Sequence, residues 1–325
     1  MALRNEIETS RTFLPLYETM WKKIFDRTNL KRNGRIFISC DDIYTQIPIE
    51  SICNYDFEYI GDLYTIIRVS HSGNIPNIKK GFAIKDVALY GGLKYECSSL
   101  EEELVNITEL TDNDADTLLV NARDNLRYLI WSKKEIDSIN TILKSAKGIK
   151  QIQMFSGFEG TKESFKGFSG NSPSIIHIAS HGRYIQANEE MSWYEYYKYC
   201  LDNAGIWMSC SSDEERFLSA EEIRHLDLSK TSLLILSACN TGKGGVTPYG
   251  IIGLQNAFKQ AGVGSIIMTL NIVNDAATCF FMTSFYSALN SGMNPREAFK
   301  NAQYAIRTNE YFKEFNYWAY FVMLD

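Results

Sequence analysis

The stretch LLILSACNTGKGG, residues 233–245, changes its character halfway along. Its first six residues form a mainly apolar run that is typical of a buried β-strand, and the residues behind Cys239 favour a turn. The pattern therefore predicts a strand that ends at about Ala238 and carries Cys239 at its tip. Two interpretations of that cysteine are open. It is either a small core residue, as free cysteines commonly are, or a nucleophile held at the lip of a sheet.

A second stretch, SIIHIASHG at residues 174–182, follows the same pattern, because its apolar run ends at His181 and Gly182. Between the two runs lies a helix signal, the capping box formed by Ser219 and Glu222. Helical and strand-like segments continue to alternate through the second half of the chain. Such alternation predicts an α/β fold, with a mostly parallel sheet and helices packed on both of its faces.

His181 and Cys239 both follow predicted strands, and 58 residues (239 − 181) separate them. That interval holds a helix and the next strand, as a right-handed crossover between neighbouring parallel strands requires. Ligands bind beyond the carboxyl ends of such strands, so we expect both side chains in one crevice. There an imidazole can take the thiol proton and later protonate a leaving amine. The backbone N–H groups of Gly182 and Cys239 are candidate donors to an oxyanion.

The bulk composition limits the class of function. The chain has 325 residues, 45% of them hydrophobic, and a net charge of −6, which indicates a globular protein without a broad basic surface for nucleic acid. No apolar run is long enough to predict a membrane span, and the N-terminal stretch lacks the apolar core of a signal peptide. Seven cysteines without a CxxC pair then favour reduced thiols and a cytoplasmic location.

Two cofactor patterns are incomplete. His177 and His181 have a zinc spacing only on a helix, whereas their segment is predicted as a strand and has no Glu after the first His. The segment NTGKGG, residues 240–245, lacks the first Gly of a phosphate-binding loop and the Ser or Thr after its Lys. We therefore expect neither a metal nor a cofactor, and we expect His177 to be a core histidine.

Several segments together resemble the CHAT family of caspase-like cysteine peptidases, which are relatives of separase and caspases. The segments of the second half are HIASHG (177–182), LSAEEIRHLDLSKTSLLILSACNTGKGG (218–245), GLQNAFKQAGVGSIIMTLNIVNDAATCFFMTSFYSALNSGMNPREAFKNAQ (253–303) and YWAYFVML (317–324). Those of the first half are LYETMWKKIF (16–25), RIFISCDDIYTQIPIESI (35–52), YTIIRVS (64–70) and ALYGGLKYE (88–96). The resemblance implies a caspase-like fold with an N-terminal pseudo-protease subdomain, residues 1–120, and a catalytic subdomain, residues 121–325.

The resemblance also implies roles for individual residues of the catalytic subdomain. His181 would be the general acid–base and Cys239 the nucleophile, in the order that caspase-like enzymes use. The amides of Gly182 and Cys239 would form the oxyanion hole.

The residues implied for the specificity pocket are Ser237, Asn271 and Asp275. Asp275 stands where separase-like relatives have an Asp that receives a basic side chain. A place in the first turn of a helix also suits an acid for electrostatic reasons alone, and both interpretations stay open. Asn271 stands where the family usually has Trp, so the pocket wall differs and the preferred substrate residue is left undecided.

These features predict a cysteine endopeptidase that cuts a specific protein partner in a regulated bacterial signalling or defence module. The alternative is a non-catalytic caspase-like module that binds a protein. A third interpretation, a hydrolase of small acyl compounds, has no G-x-S-x-G motif to support it. We expect a sensor or a helical-repeat partner to control the site, and no nucleic-acid or membrane partner.

Two segments are expected to serve regulation and binding. Residues 183–216 have an irregular pattern, and we expect an inserted loop that orders on activation or is itself cut. The predicted strand SIIMTLN, residues 265–271, is expected to pair with an extended substrate by strand addition.

Overall fold

A computed structural model describes residues 15–28, 30–40, 42–70, 83–96, 126–146, 148–187, 191–210, 216–238, 241–247 and 250–325. The strands in these ranges are β1 (Arg35–Ile38), β2 (Thr65–Arg68), β3 (Asp86–Leu93), β4 (Gln151–Gly157), β5 (Ile175–Ala179), β6 (Gly182–Tyr184), β7 (Ala204–Trp207), β8 (Phe217–Ser219), β9 (Leu233–Ser237), β10 (Gly245–Thr247), β11 (Gly250–Ile252), β12 (Ser265–Thr269) and β13 (Phe321–Leu324). The α-helices are α1 (Lys22–Arg27), α2 (Ile60–Leu63), α3 (Ile130–Lys144), α4 (Lys162–Lys166), α5 (Trp193–Asp202), α6 (Ala220–Ile223), α7 (Leu254–Gln260), α8 (Asp275–Asn290) and α9 (Pro295–Arg307). Shorter helical turns are a π-helix (Tyr17–Trp21) and 3₁₀ turns (Asp42–Gln46, Ile49–Ser51 and Phe315–Tyr317).

The described strands include an eight-stranded sheet in the order β1-β2-β13-β12-β9-β5-β3-β4. Every neighbouring pair is parallel except β12 and β13, which are antiparallel, so the sheet is mixed but mostly parallel. β13 also pairs with β2 through Leu324 and Arg68, which joins the last strand to an early one. The predicted α/β class with a mostly parallel sheet is confirmed.

Helices cover both faces of this sheet, because successive residues of each buried strand point to opposite sides. One face packs against α4, α5, α6 and α7, and its core includes Phe165, Leu201 and Phe258. The other face packs against α3, α8 and α9, and its core includes Ile139 and Phe281. The prediction of helices on both faces is therefore confirmed.

A smaller apolar cluster lies at the β1–β2 edge of the sheet and includes Trp21, Ile49 and Ile60. Beside it the buried guanidinium of Arg68 donates to both carboxylate oxygens of Glu50, at 2.8 and 2.7 Å. Both side chains are almost fully buried, so each charge depends on the other for its hydrogen bonds.

Several predicted boundaries differ from the structure. The segment IGDLYTIIRVS, residues 60–70, has the pattern of one strand, but residues 60–63 form α2. The segment GIIGLQNAFKQAG, residues 250–262, has the pattern of one helix, but residues 250–252 form β11. The segment YWAYFVML, residues 317–324, predicts a final strand, which is confined to β13 because a 3₁₀ turn precedes it. The segment RIFISC, residues 35–40, predicts a buried strand, but the residues of β1 alternate between exposed and half-buried because it is an edge strand. In each case tertiary packing outweighs the local preference of the residues.

The stretch 183–216 lies between the neighbouring strands β5 and β9, as an insertion would, but its described part is more ordered than its sequence pattern indicates. The prediction of an irregular loop is therefore wrong for that part, and its ordering on activation or cleavage stays a prediction. β6, β7 and β8 form an antiparallel three-stranded sheet. α5 begins with a full capping box in which Ser192 and Glu195 satisfy each other's backbone N–H groups. Residues 188–190 and 211–215 lie outside the described residues.

The predicted subdomain boundary at residue 120 also lies outside the described residues. Strands from both sides of it share one sheet, since β3 lies between β5 and β4. The arrangement in two halves and the bounds 1–120 and 121–325 stay predictions.

The cysteines only partly match the expectation of reduced thiols. The described cysteines that form no disulfide are Cys40, Cys53, Cys200 and Cys279. Cys210 is disulfide-bonded, so the expectation is wrong for this residue. No helix in the described part of the chain has the length and apolarity to cross a membrane.

Candidate active site

The two strands that were predicted to carry the reactive residues are direct neighbours in the sheet. β5 and β9 run parallel with Ala179 opposite Ser237, and the Ser180 N–H donates to the Ser237 carbonyl at 3.3 Å. His181 follows Ala179 by two residues, and Cys239 follows Ser237 by two residues. The predicted adjacency of the strands is thus confirmed. Cys239 and Asn240 themselves lie outside the described residues.

The imidazole of His181 is half-buried at this edge, where its Nε2 lies 2.8 Å from the backbone carbonyl oxygen of Arg127. A carbonyl oxygen can only accept a hydrogen bond, so Nε2 carries the proton of the neutral ring and Nδ1 is left as an acceptor. Burial lowers the pKa of His181, while the bond to the Arg127 carbonyl opposes that shift. The ring is therefore predominantly neutral at physiological pH, and its unprotonated Nδ1 can accept a proton.

Tyr95, which follows β3, packs beside His181, and the centroids of the two rings are 5.1 Å apart. Its hydroxyl is 2.9 Å from the Ser180 hydroxyl, which in turn donates to the carbonyl of Trp207. Burial raises the pKa of Tyr95, and the negative charge of Asp275 adds to that rise. Tyr95 therefore remains a neutral donor, and it fixes the backbone on one side of His181.

Gly182 lies at an outer edge, because β6 is the first strand of the three-stranded sheet. The Trp207 N–H donates to the His181 carbonyl, and the Ile185 N–H donates to the Asn203 carbonyl. Since the backbone groups of a strand alternate in direction, the N–H of Gly182 points away from β7. A donor in this orientation beside His181 is suited to an oxyanion hole.

The turn that follows β9 in the chain is hydrogen-bonded to the end of the neighbouring strand β12. The carbonyl oxygen of Ala238 accepts hydrogen bonds from the hydroxyls of Thr241 and Thr269, both at 3.0 Å. The N–H of Gly242 donates to the Thr269 carbonyl at 2.9 Å. These bonds hold the residues on both sides of Cys239.

The three residues predicted for the specificity pocket lie at or beyond the carboxyl ends of β9 and β12. Ser237 is buried at the end of β9, and Asn271 is half-buried two residues after β12. Asp275 is exposed at the first position of α8, next to Asn274, which caps the helix by accepting from two backbone N–H groups. The sheet thus brings these elements to the edge where His181 lies.

Asp275 is exposed to solvent, yet neighbouring protein atoms partly bury its carboxyl group. This burial raises the pKa of Asp275 to about 6, and the nearby charge of Glu135 adds to the increase. An acid that served mainly to stabilise a helix N-terminus would have a lowered pKa. Among the described residues, no salt bridge involves Asp275, and the causes of its raised pKa include no positive charge.

The predicted strand addition along residues 265–271 is wrong for Ile266 and Ile267, which pair with β9 on one side and with β13 on the other. For residues 268–271, which have no register partner in β9, it stays a prediction. The apolar segment SIIMT forms a strand in the interior of the sheet. Its sequence pattern does not show whether such a strand lies in the interior or at a free edge.

His177 is a core histidine, as predicted. It is fully buried, its Nε2 lies 2.7 Å from a carboxylate oxygen of Glu135, and its Nδ1 lies 3.3 Å from the hydroxyl of Tyr286. This cluster ties α3 and α8 to β5. Within the described ranges, no three His, Cys, Asp or Glu side chains form a group that could hold a metal ion.

Comparisons with known proteins agree with this architecture. The CHAT domain model matches residues 11–324. Tetratricopeptide repeat protein 28 of Mus musculus and that of Homo sapiens are 30% and 29% identical to this chain over 115 residues. Each match covers 35% of this chain and only 5% of the relative, so the chain corresponds to a small part of those proteins.

Solved structures extend the comparison to the fold. The Arg specific cysteine proteinase gingipain R superposes with a TM-score of 0.53 and 11% identity, over 93% of this chain and 65% of that one. The separase–securin complex of Saccharomyces cerevisiae gives a TM-score of 0.48 and 10% identity, over 89% of this chain and 15% of that one. At this identity, the likeness to gingipain R shows a shared fold.

Proposed function

The chain belongs to the CHAT domain family, and from this we propose that it is a cysteine endopeptidase with His181 and Cys239 as its catalytic dyad. The observation that carries the proposal is the register of β5 and β9, which sets Ala179 opposite Ser237. Because the two strands are parallel and in this register, both end at the same edge of the sheet. His181 and Cys239, which follow Ala179 and Ser237 by two residues, therefore both come directly after these adjacent strand ends. An unprotonated Nδ1 on His181 can accept the proton that a thiol must lose to become a nucleophile.

The proposed reaction begins when Nδ1 of His181 takes the thiol proton of Cys239. The thiolate attacks the carbonyl carbon of the peptide, and the N–H groups of Gly182 and Cys239 stabilise the oxyanion. The C–N bond then breaks, and the imidazolium gives its proton to the leaving amine. A water molecule, deprotonated by the same Nδ1, attacks the thioester, which releases the carboxylic acid and restores the thiol.

We further propose that Asp275 receives a basic side chain of the substrate, with Ser237 and Asn271 forming part of the pocket wall. The raised pKa of Asp275 supports this, because a carboxylate without a positive partner gains most from a cation. The name of gingipain R, an Arg specific cysteine proteinase, describes such a preference in a protein of the same fold.

The substrate is proposed to be a protein, cut in a regulated bacterial signalling or defence module. Control by a helical-repeat segment or partner is supported by the names of the two curated relatives, which are tetratricopeptide repeat proteins. Coupling of such a repeat to the site would let binding of a signal decide when the peptide bond is cut.

A peptide library that varies the residue before the scissile bond tests the activity and the preference together. We expect cleavage after Arg or Lys, and a loss on the order of 10⁴-fold in Cys239→Ala and in His181→Ala. Matched controls are Cys40→Ala and His225→Ala, which remove a thiol and an imidazole elsewhere in the chain. Cleavage that persists in Cys239→Ala would refute the enzyme assignment. A folded protein that cuts no peptide would instead favour the binding-module interpretation.

A further inference from the structure

We propose that Thr241 and Thr269 are positioning residues for acyl transfer, because their hydroxyls together fix the peptide unit that joins Ala238 to Cys239. The inference rests on the proposed function and concerns how the same site is held ready.

Two hydroxyls from different parts of the chain converge on one carbonyl oxygen. Thr241 lies in the turn itself, and Thr269 is the last residue of the neighbouring strand β12. Each hydroxyl lies 3.0 Å from the Ala238 oxygen, and the two donors satisfy both of its lone pairs. The exposed fractions of the two threonines are only 1% and 2%, so water does not replace either bond.

A fixed carbonyl has a direct consequence for the nucleophile. The C=O of Ala238 and the N–H of Cys239 belong to one peptide unit, which is planar. Bonds that hold the oxygen therefore hold the plane that contains the proposed oxyanion donor. Donors of this kind act by being fixed before the reaction, so a loosened plane weakens transition-state stabilisation more than it weakens binding.

The same strand end also supports the turn from its other side. The N–H of Gly242 donates to the Thr269 carbonyl, so Thr269 bonds to the turn through both its side chain and its backbone. A Cβ added to Gly242 would lie 2.8 Å from Leu270 Cδ2 and 2.9 Å from the Thr269 oxygen. The turn thus lies so close to the end of β12 that only glycine fits at position 242, and contact with β12 limits the movement of the turn.

The test compares two reactions of Cys239 that differ in their need for an oxyanion donor. In the first, the thiolate attacks the carbonyl of p-nitrophenyl acetate, and the C–O bond breaks to give a thioester and p-nitrophenolate. In the second, it displaces iodide from iodoacetamide, which creates no oxyanion. The rates in Cys239→Ala give the background from other thiols and are subtracted.

We expect Thr269→Val and Thr241→Val each to slow acylation about 10-fold, and the double variant to slow it about 100-fold. Alkylation by iodoacetamide should change less than about twofold in all three. Thr269→Ser and Thr241→Ser retain the hydroxyl and should restore acylation. Thr231→Val is the matched control, since its buried hydroxyl donates to the Pro173 carbonyl at the opposite end of β9. It should leave both rates unchanged.

Acylation within twofold of the unmodified protein in a folded double variant would overturn the inference. An equal loss of acylation and alkylation would also overturn it, because the hydroxyls would then place the sulfur rather than the peptide plane. If the double variant does not fold, each valine single variant is compared with the serine variant at the same position, again by its rates of acylation and alkylation. Failure of the proposed function is distinguishable, since Cys239→Ala would then acylate as fast as the unmodified protein.

Discussion

The preference for a basic residue should depend on pH in a way that reports on Asp275. The pKa of this carboxyl is raised to about 6, so its ionised fraction changes within an accessible range. The pH dependence of kcat/KM reports the ionisation of groups in the free enzyme. The value of kcat/KM for cleavage after Arg should therefore rise with pH as Asp275 ionises. His181 also titrates, and it affects every substrate equally. The ratio of kcat/KM for an Arg peptide to that for the same peptide with neutral, isosteric citrulline therefore isolates Asp275.

The size of the effect follows from the ionised fraction. With a pKa of about 6, the carboxyl is about 97% ionised at pH 7.5 and about 9% ionised at pH 5.0. Because the un-ionised carboxyl should give a ratio near one, the ratio should rise about fivefold between pH 5.0 and pH 7.5 for a limiting preference of about 10-fold, and about tenfold for one of about 150-fold. A charge-assisted hydrogen bond of about 1.5–3 kcal/mol makes the limiting preference for Arg about 10- to 150-fold.

Paired fluorogenic peptides measured across this pH range provide the assay. In Asp275→Asn the ratio should fall close to one and lose its dependence on pH. Asp137→Asn, at an exposed site on α3 that pairs with Lys133, removes a carboxylate of no proposed function and should behave like the unmodified protein. An Arg preference that is unchanged in Asp275→Asn would refute the role of this residue. A ratio that stays flat from pH 5.0 to 7.5 in the unmodified protein would refute the raised pKa.

Two further substitutions test the electrostatics of the fold. Glu135→Gln should move the midpoint of the Arg-to-citrulline ratio to lower pH, because the charge of Glu135 helps to raise the pKa of Asp275; an unchanged midpoint in this assay would contradict the coupling. Glu50→Gln should lower the free energy of unfolding by about 3–5 kcal/mol in urea, because it leaves the buried guanidinium of Arg68 without its counter-charge. Glu58→Gln, at an exposed pair, is the control, and a loss of similar size there would contradict the argument.

The sequence predicted the backbone of the site well because its signals are local. Apolar runs that end in His181 and Cys239 define two strands, and the length of the interval between them implies a crossover that makes the strands neighbours. Tyr95 was missed, although it follows β3, and the rule that applied to His181 at the end of β5 would have identified it.

Other parts of the site could not be predicted from the sequence. The partner of His181 is the backbone carbonyl of Arg127, and a carbonyl is the same in every residue, so no motif marks it. The role of Thr269 depends on the contact between β12 and the turn behind β9, which only the sheet order reveals. The placement of Asp275 relative to Glu135 likewise arises from the packing of α8 against α3.

The pairing of β2 with β13 determines how long the edge of β2 stays unpaired while the chain is being synthesised. Arg68 leaves the ribosome 253 residues (321 − 68) before β13 begins, a delay of roughly 13–50 s at typical rates of synthesis of about 5–20 residues per second. Throughout that time the edge of β2 that later pairs with β13 has no partner strand. The corresponding edge of β12 is also unpaired, but only for the last 52 residues (321 − 269) of synthesis before β13 begins. Unpaired edges invite contact with other nascent chains. We therefore expect a dependence on chaperones during synthesis that ends when Phe321–Leu324 inserts between β2 and β12.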